Sequence, residues 1–199
     1  MERSRTTVVA AVGPLAGVAR SVLEAAAATA RLVVSLPAPE DPSLERAVAA
    51  RRAAAGVSSP YLVHDADPLS AVAAAWTVLY DETGPIGTLE VAVSEAVAAW
   101  RGGRVELPDY YLVLDPERWA PTPLHFYLGW LATQAPARVL PAPASPPGVS
   151  RVLRNLPSWP PLDRLLDGVA RVVPDALVIS RQGQAPEAGL ITGPTASAT

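Results

Sequence analysis

The sequence predicts an α/β fold: a three-layer αβα sandwich, Rossmann-like or flavodoxin-like, with a mostly parallel sheet of five or six strands. Three observations predict this class. Short apolar runs rich in β-branched residues alternate with segments of helical period, which is typical of βαβ units. The runs are apolar throughout, as in strands that are buried on both faces. Half of the 199 residues are hydrophobic, which is enough for one sizeable core in one domain.

The first half of the chain is predicted to form three pairs of a strand and a helix. The strands cover residues 6–12, 32–36 and 61–64, and the helices cover residues 14–30, 42–55 and 69–80. Gly13-Pro14 separates the first strand from its helix, and Asp41 and Ser43 are candidate caps of the second helix. Residues 76–80 combine Trp, Val, Leu and Tyr, so they fit either the end of the third helix or a further strand.

The second half opens with a helix that Thr88 is predicted to cap and that Gly102-Gly103 ends. A strand at 110–114 precedes a helix at 122–134, which has Thr122 as its N-cap and a proline in its first turn. The remaining predicted elements are a strand at 137–140, helices at 149–156 and 162–172, and a strand at 176–179. Residues 1–180 thus form a single α/β domain, and the polar residues 181–199 form a flexible C-terminal tail.

Composition excludes several chemistries. All 16 basic side chains are arginine, so the chain has neither a Schiff-base lysine nor the lysine of a P-loop. The absence of cysteine excludes disulfides, thiolate nucleophiles and zinc–thiolate sites. The net charge is −3 and no basic stripe occurs, so no nucleic acid partner is expected. Arginine remains the residue type that can hold an anion by charge, and its planar fork suits carboxylate and phosphate.

The N-terminal segment has a charged start and an apolar stretch, as secretory signals have. Its β-rich residues 6–12 and the Gly13-Pro14 break favour the first strand of the domain instead. Because no run of eighteen uninterrupted apolar residues occurs, we expect no membrane span and a cytoplasmic protein. No cofactor is indicated by the sequence.

The candidate site follows from the topology of parallel sheets. Right-handed crossovers place the carboxyl ends of all parallel strands at one edge, where ligands of α/β domains bind. That edge is predicted to gather Gly13, the turn acids Asp65 and Asp67, and the acids Asp115 and Glu117. Asp-Pro turns explain Asp67 and Asp115 without any ligand, so each acid is either a turn residue or a site residue.

Residues 110–131 hold six of the eleven aromatic residues of the chain, and they supply the other candidates. Arg118 is placed to meet an anionic ligand or to pair with a neighbouring acid, and Trp119 lies in the loop that follows the strand. His125 is predicted in the first helical turn, where the helix dipole lowers a histidine pKa and favours a neutral base. The two histidines cannot supply a three-ligand zinc site without carboxylates, and no metal site is predicted.

Three functions are compatible with these residues. The first is binding of a small polar ligand, with nucleotides as one class, through Gly13, Asp65, Asp67, Arg118 and Trp119. The second is a transferase or hydrolase in which Asp115 or Glu117 is the base and His125 its partner. The third is a scaffold protein that binds partners through the proline-rich segments 141–147 and 157–161 and forms a homodimer.

Overall fold

The computed structural model describes residues 6–29, 33–35, 43–55 and 61–156 of the chain. Within these ranges the strands are β1 (Thr7–Val12), β2 (Val33–Ser35), β3 (Tyr61–His64), β4 (Tyr110–Leu114) and β5 (Val139–Ala142). The helices are α1 (Val18–Thr29), α2 (Ser43–Ala55), α3 (Ser70–Tyr80), α4 (Ile86–Arg101), α5 (residues 121–134) and α6 (Pro146–Arg154). A 3-10 turn, Pro116–Arg118, connects β4 to α5.

The strands form a parallel sheet in the order β2-β3-β1-β4-β5. Helices connect the strands, so the predicted α/β class with a parallel sheet is confirmed. The order is neither 3-2-1-4-5-6, as in dinucleotide-binding domains, nor 2-1-3-4-5, as in flavodoxin. It differs because the chain leaves β1 for the edge strand β2, returns to β3 beside β1, and then passes β1 to reach β4.

Alternate residues of the central strand β1 belong to two different hydrophobic clusters. Val9 and Ala11 pack with residues of α1 and α6, whereas Ala10 and Val12 pack with residues of α3, α4 and α5. Because successive side chains of a strand point to opposite faces, helices cover both faces of the sheet at this strand. All five residues of β4 are buried as well, which explains the uninterrupted apolar sequence of these strands.

Several predicted boundaries are corrected. Residues 76–80 are helical and end α3, so the alternative of a further strand is wrong. Thr88 and Thr122 are not N-caps, since the N-cap positions are Pro85 and Ala120. Proline in the first turn needs no amide acceptor and fixes a helical φ, which explains why α5 begins at Pro121.

Other boundaries shift by a few residues. The first helix begins at residue 18 rather than 14, because residues 13–17 form an irregular loop. Strand β5 lies two residues later than predicted, and α6 begins at residue 146 rather than 149, with Ser145 as its cap. The predicted helix at 162–172, the strand at 176–179 and the C-terminal tail lie outside the described residues.

Helix α5 changes its winding in the middle. Residues Pro121–Leu124 and Ala132–Gln134 are α-helical, and His125–Leu131 between them form a π-helix. Such segments are rare and occur often at functional sites. The π segment carries Phe126 and Tyr127, both buried against the sheet. The sequence pattern predicted one regular helix here, because hydrophobic spacing over so few residues does not distinguish a wide turn from a regular one.

Replacing Gly148 with Ala is expected to destabilise the fold by about 1–3 kcal/mol, the usual range for overpacking. A Cβ at this buried position of α6 would lie 2.7 Å from the backbone oxygen of Pro143 and 3.0 Å from Ser145 Oγ. Urea denaturation measures the loss. Gly87→Ala is the matched control: its Cβ would meet no atom within 4 Å, so the change should be neutral or stabilise α4 by up to about 1 kcal/mol. Equal stabilities of the two variants would contradict the packing argument.

Candidate functional site

A pocket of about 330 Å³ lies at the carboxyl ends of β1 and β3. Its walls come from the loop after β1, the first turns of α1 and α2, the turn after β3, helix α3 and the start of α5. The connection from β1 to β2 runs through α1 on one face of the sheet. The connection from β3 to β4 runs through α3 and α4 on the other face. Adjacent strands whose connections diverge in this way open the crevice where α/β domains bind their ligands.

The loop after β1 is shaped by two glycines. A Cβ on Gly13 would lie 3.0 Å from Val18 Cβ and 3.1 Å from the backbone nitrogen of Ala19, so a side chain would push the loop away from α1. Gly17 has φ +83°, in the left-handed region that other residues rarely adopt. These two glycines therefore allow a tight turn that brings the start of α1 to the edge of the pocket.

Two arginines and one aspartate form an ion cluster in the pocket wall. Arg20 Nε donates to Asp65 Oδ2 at 3.0 Å, and Arg46 Nη2 lies 2.7 Å from the same oxygen. Arg46 Nη2 also donates to the backbone oxygen of Asp65 at 3.2 Å. The Asp65 side chain is 5% exposed, and those of the two arginines are about one fifth exposed. Two guanidinium groups therefore bind the same carboxylate oxygen in the wall of the pocket.

Two atoms of this cluster are buried without a hydrogen-bond partner. They are Asp65 Oδ1 and Arg46 Nε. A buried polar atom that lacks a partner costs about 1–3 kcal/mol, so each of these atoms would gain from a hydrogen-bond partner. A bidentate pair, in which Nε and one Nη of an arginine each bind one carboxylate oxygen, would satisfy both atoms.

Asp67 is the second acid of the pocket and is held differently. Its Oδ1 accepts hydrogen bonds from the Leu69 backbone N–H at 2.8 Å and the Tyr111 hydroxyl at 3.0 Å. Its Oδ2 accepts from the Tyr127 hydroxyl at 2.6 Å. Burial raises the pKa of Asp67, and these three hydrogen bonds oppose the rise. Asp67 therefore joins the start of α3 to the sheet and to α5.

His64 ends β3 immediately before the ion cluster. Its pKa is lowered from the ordinary 6.5 to about 4, mainly because burial disfavours the charged ring; the charge of Asp65 opposes this shift and that of Arg46 adds to it. His64 Nδ1 accepts a hydrogen bond from the backbone N–H of Ala66 at 3.3 Å. A ring nitrogen that accepts must be unprotonated, so the hydrogen bond agrees with a neutral imidazole.

Part of the pocket wall is aromatic. The indole of Trp119 donates from Nε1 to the backbone oxygen of Leu114 at 2.8 Å, which fixes the ring beside the pocket. Tyr127 packs edge-on against it, with ring centroids 5.3 Å apart. Both rings line the pocket together with Pro123. The site thus has a cationic side and an apolar, partly aromatic side.

Four of the residues predicted from the sequence line this pocket: Gly13, Asp65, Asp67 and Trp119. The other four, Asp115, Glu117, Arg118 and His125, are not among its lining residues. Sequence order alone placed all of these residues at one edge of the sheet. The strand order separates them, because the turn after β4 packs toward β5 rather than toward β3.

Asp115 is engaged in the turn after β4. Its Oδ1 accepts from the Ala144 backbone N–H at 2.6 Å, and its Oδ2 lies 3.6 Å from Arg118 Nη1. The residue has φ 43° and ψ 61°, a left-handed conformation that Asp tolerates better than most residues. Asp115 therefore ties this turn to the loop after β5, and Arg118 pairs with it on the surface.

His125 lies on the exposed side of α5, and its ring stacks on Trp76 with centroids 6.0 Å apart. Among the described residues, no hydrogen bond joins His125 to Asp115 or Glu117. No direct hydrogen bond thus joins the predicted base to its partner, and the transferase or hydrolase function stays a hypothesis.

Three residues of the pocket escaped the sequence reasoning: Arg20, Arg46 and Tyr127. Arg20 and Arg46 lie in the first turns of the helices that follow β1 and β2, so the rule that selected the strand-end acids could also have selected them. Tyr127 is one of the six aromatic residues of 110–131, and it was not singled out as a site residue. It is buried, binds Asp67 through its hydroxyl and lines the pocket.

Within the described ranges, no group of three or more His, Cys, Asp or Glu side chains is arranged to hold a metal ion. No helix of the same ranges has the length and apolar composition needed to cross a membrane. Comparison of the sequence with models of protein families and with curated proteins finds no match.

Proposed function

We propose that this protein binds a small anionic ligand, such as a mononucleotide or a sugar phosphate, in the pocket at the carboxyl ends of β1 and β3. The observation that carries the proposal is the ion cluster, in which Arg20 and Arg46 share the single carboxylate of Asp65 in the pocket wall. An oxyanion in this pocket would lie beside guanidinium groups that line it. Arginine suits this task because its fork of donors matches carboxylate and phosphate oxygens.

The size and lining of the pocket favour a ligand with two unlike parts. A volume of about 330 Å³ is at the small end of the range for ligand pockets, about 300–1,000 Å³. Trp119 and Tyr127 also line the pocket and offer apolar surface for a flat or apolar part of the ligand. Ser70 and Thr77 of α3 also line the pocket and add hydroxyl groups. Several convergent polar groups in an otherwise apolar cleft are typical of sites for small molecules.

In this proposal the loop after β1 contributes less to anion binding than the two arginines do. It lacks the lysine of a P-loop, and Pro14 removes one backbone amide that could point at a phosphate. The two arginines are therefore proposed to supply the charge, with the start of α1 adding its dipole. The domain itself is proposed to be a three-layer, doubly wound α/β sandwich, Rossmann-like in its use of the strand ends, on the support of the helices that cover both faces of β1.

A negative charge introduced beside the pocket by substitution tests the proposal while both arginines are kept. A thermal-shift panel of inorganic phosphate, pyrophosphate, ribose 5-phosphate and adenosine monophosphate should contain a compound that raises the melting temperature, because a ligand of the native state alone stabilises it. Ala74→Glu adds a negative charge to a residue of α3 that lines the pocket. We expect it to weaken binding by about tenfold or more, since like charges within several ångströms repel by about 1–2 kcal/mol.

Ala71→Glu is the matched control. Ala71 is exposed on the same helix and does not line the pocket, so the variant has the same net charge and should bind almost as the wild type does. Equal weakening in both variants would mean that the anion binds elsewhere. The absence of any shift across the panel would refute the proposed function.

A further inference from the structure

We infer that the uncharged part of the ligand is a sugar, whose hydroxyl groups donate hydrogen bonds to oxygen atoms in the pocket wall. This inference rests on the proposed function and names the substrate class, a phosphorylated sugar, which a sugar phosphate and a nucleotide share. Its basis is the direction of the hydrogen bonds that the side chains of the pocket already make.

The hydroxyl groups of α3 have already given their hydrogens to the protein. The Ser70 hydroxyl donates to the backbone oxygen of Asp67 at 2.9 Å, and the Thr77 hydroxyl donates to the backbone oxygen of Ala73 at 2.9 Å. A backbone oxygen can only accept, so the direction of both bonds is fixed. Each hydroxyl has one hydrogen and two lone pairs, so what it has left to offer a ligand is an acceptor.

The aromatic donors of the pocket are engaged in the same way. The Trp119 indole donates to the backbone oxygen of Leu114, and the Tyr127 hydroxyl donates to Asp67 Oδ2. Among the described residues that line the pocket, every neutral side-chain donor is therefore bonded within the protein. A ligand that uses the neutral polar groups of this wall must bring hydrogens of its own.

Asp65 leads to the same requirement by a separate observation. Its Oδ1 is buried without a partner, on a residue that lines the pocket. A phosphate group presents acceptor oxygens, so the anionic part of the ligand does not supply the donor that this atom lacks. A hydroxyl group both donates and accepts, so it can serve Asp65 Oδ1 and also Nε of Arg46, the unpartnered donor of the same cluster.

The pocket face of α3 has the length of an extended ligand. Ser70, Ala73, Ala74 and Thr77 line the pocket at the spacing of one helix face. At a rise of 1.5 Å per residue, the first and last of these residues are about 10 Å apart along the helix axis. Inorganic phosphate is too short to contact both hydroxyls, whereas a phosphorylated sugar carries hydroxyl groups along its length.

Paired ligands test the inference on the wild-type protein by calorimetry. Pentyl phosphate has the phosphate and the chain length of ribose 5-phosphate but carries no hydroxyl group. We expect ribose 5-phosphate to bind about tenfold more tightly or better, because the analogue leaves buried acceptors unpaired. For adenosine monophosphate the matched ligand is its 2′,3′-dideoxy analogue, so the two sources of a phosphorylated sugar are tested separately.

Thr77→Val identifies one of the acceptors, since it replaces the hydroxyl with a methyl group of similar size. It is expected to weaken ribose 5-phosphate by about three- to tenfold and pentyl phosphate by less than about twofold. Ser70→Ala is a second variant on the same face and should behave alike. Thr133→Val is the matched control: its hydroxyl also donates to the backbone oxygen four residues earlier, but it is exposed and does not line the pocket.

The outcomes separate this inference from the proposed function. Equal affinities within both ligand pairs, with binding still weakened by Ala74→Glu, would overturn the sugar and leave the anion site standing. Equal weakening of ribose 5-phosphate and pentyl phosphate by Thr77→Val would also overturn it, because the hydroxyl would then contact the phosphate. If the wild type binds none of these compounds, both fall together.

Discussion

Between pH 7 and pH 4 the protein is expected to lose about 3 kcal/mol of its free energy of unfolding through His64 alone. The folded pKa of His64 is about 4, whereas an unfolded histidine has its ordinary value of 6.5. Below pH 6.5 the unfolded chain therefore binds a proton that the folded chain does not bind. The stability contributed by a neutral His64 is complete above that value and is lost as the pH falls toward 4. Protonation would also remove Nδ1 as the acceptor for Ala66.

Urea denaturation at pH 7, 5.5 and 4 measures this effect, and His64→Asn is the test variant. Asn keeps an acceptor near the position of Nδ1 and cannot titrate in this range, so its acid loss should be smaller by about 3 kcal/mol. His125→Asn is the matched control, because His125 is the other histidine and its ring is exposed. If His64→Asn and the wild type lose stability equally between pH 7 and 4, His64 is not the acid-sensitive group.

Asp67 acts in the opposite direction over part of the same range. Burial raises its folded pKa above the ordinary 3.8, so in the window above 3.8 the folded chain binds a proton that the unfolded chain does not bind. Its contribution to stability falls as the pH rises through that window. Acidification through that window therefore adds stability through Asp67, which offsets part of the loss through His64.

Asp65→Ala is expected to destabilise the protein by about 3 kcal/mol, the low end of the range for breaking a buried ion pair. The variant leaves Arg20 and Arg46 in the pocket wall without their shared carboxylate, and each is only about one fifth exposed. For a chain of this length the loss corresponds to a fall of about 6–12 °C in the melting temperature. Glu95→Ala, an exposed acid on α4, controls for the change of net charge and should cost less than about 0.5 kcal/mol.

The same variant offers a chemical rescue. With Asp65 removed, added phosphate can pair with both guanidinium groups, so it should raise the melting temperature of Asp65→Ala by more than it raises that of the wild type. Thermal denaturation at increasing phosphate concentration measures the difference. A loss below about 1 kcal/mol in Asp65→Ala would show that the cluster contributes no more than a surface pair.

Local sequence signals predicted the strands better than the helix ends. The bounds of β3 and β4 were predicted to the residue, because each is a short run of β-branched and aromatic residues between turn signals. The helix starts at Thr88 and Thr122 were wrong because proline competes with threonine for the first turn, and one sequence signal does not decide between them. The π segment of α5 gave no signal of its own in the hydrophobic spacing.

Four of the eight site residues predicted from the sequence line the pocket, because the prediction used the strand ends without the strand order. The acids Asp65 and Asp67 could be placed at the pocket because they follow a strand directly, and parallel strands end at one edge. Asp115 and Glu117 satisfy the same rule, yet Asp115 binds the loop after β5 and neither lines the pocket. Arg20 and Arg46 come from two different helices and meet on one carboxylate, a contact that spacing along the chain does not encode.

The sequence by itself determined the α/β class, the elements that bury the core, and the exclusion of lysine and cysteine chemistry. Periodicity and composition suffice for these features, because neither depends on which elements are neighbours in the fold. Only the tertiary structure decided which strand ends are neighbours, since the order β2-β3-β1-β4-β5 depends on how the helices pack across the sheet. That order brings the turn after β1 beside the turn after β3 and turns the residues after β4 toward β5. The arginine cluster and Asp67 therefore share a pocket, whereas Asp115 binds the loop after β5 and His125 stacks on Trp76.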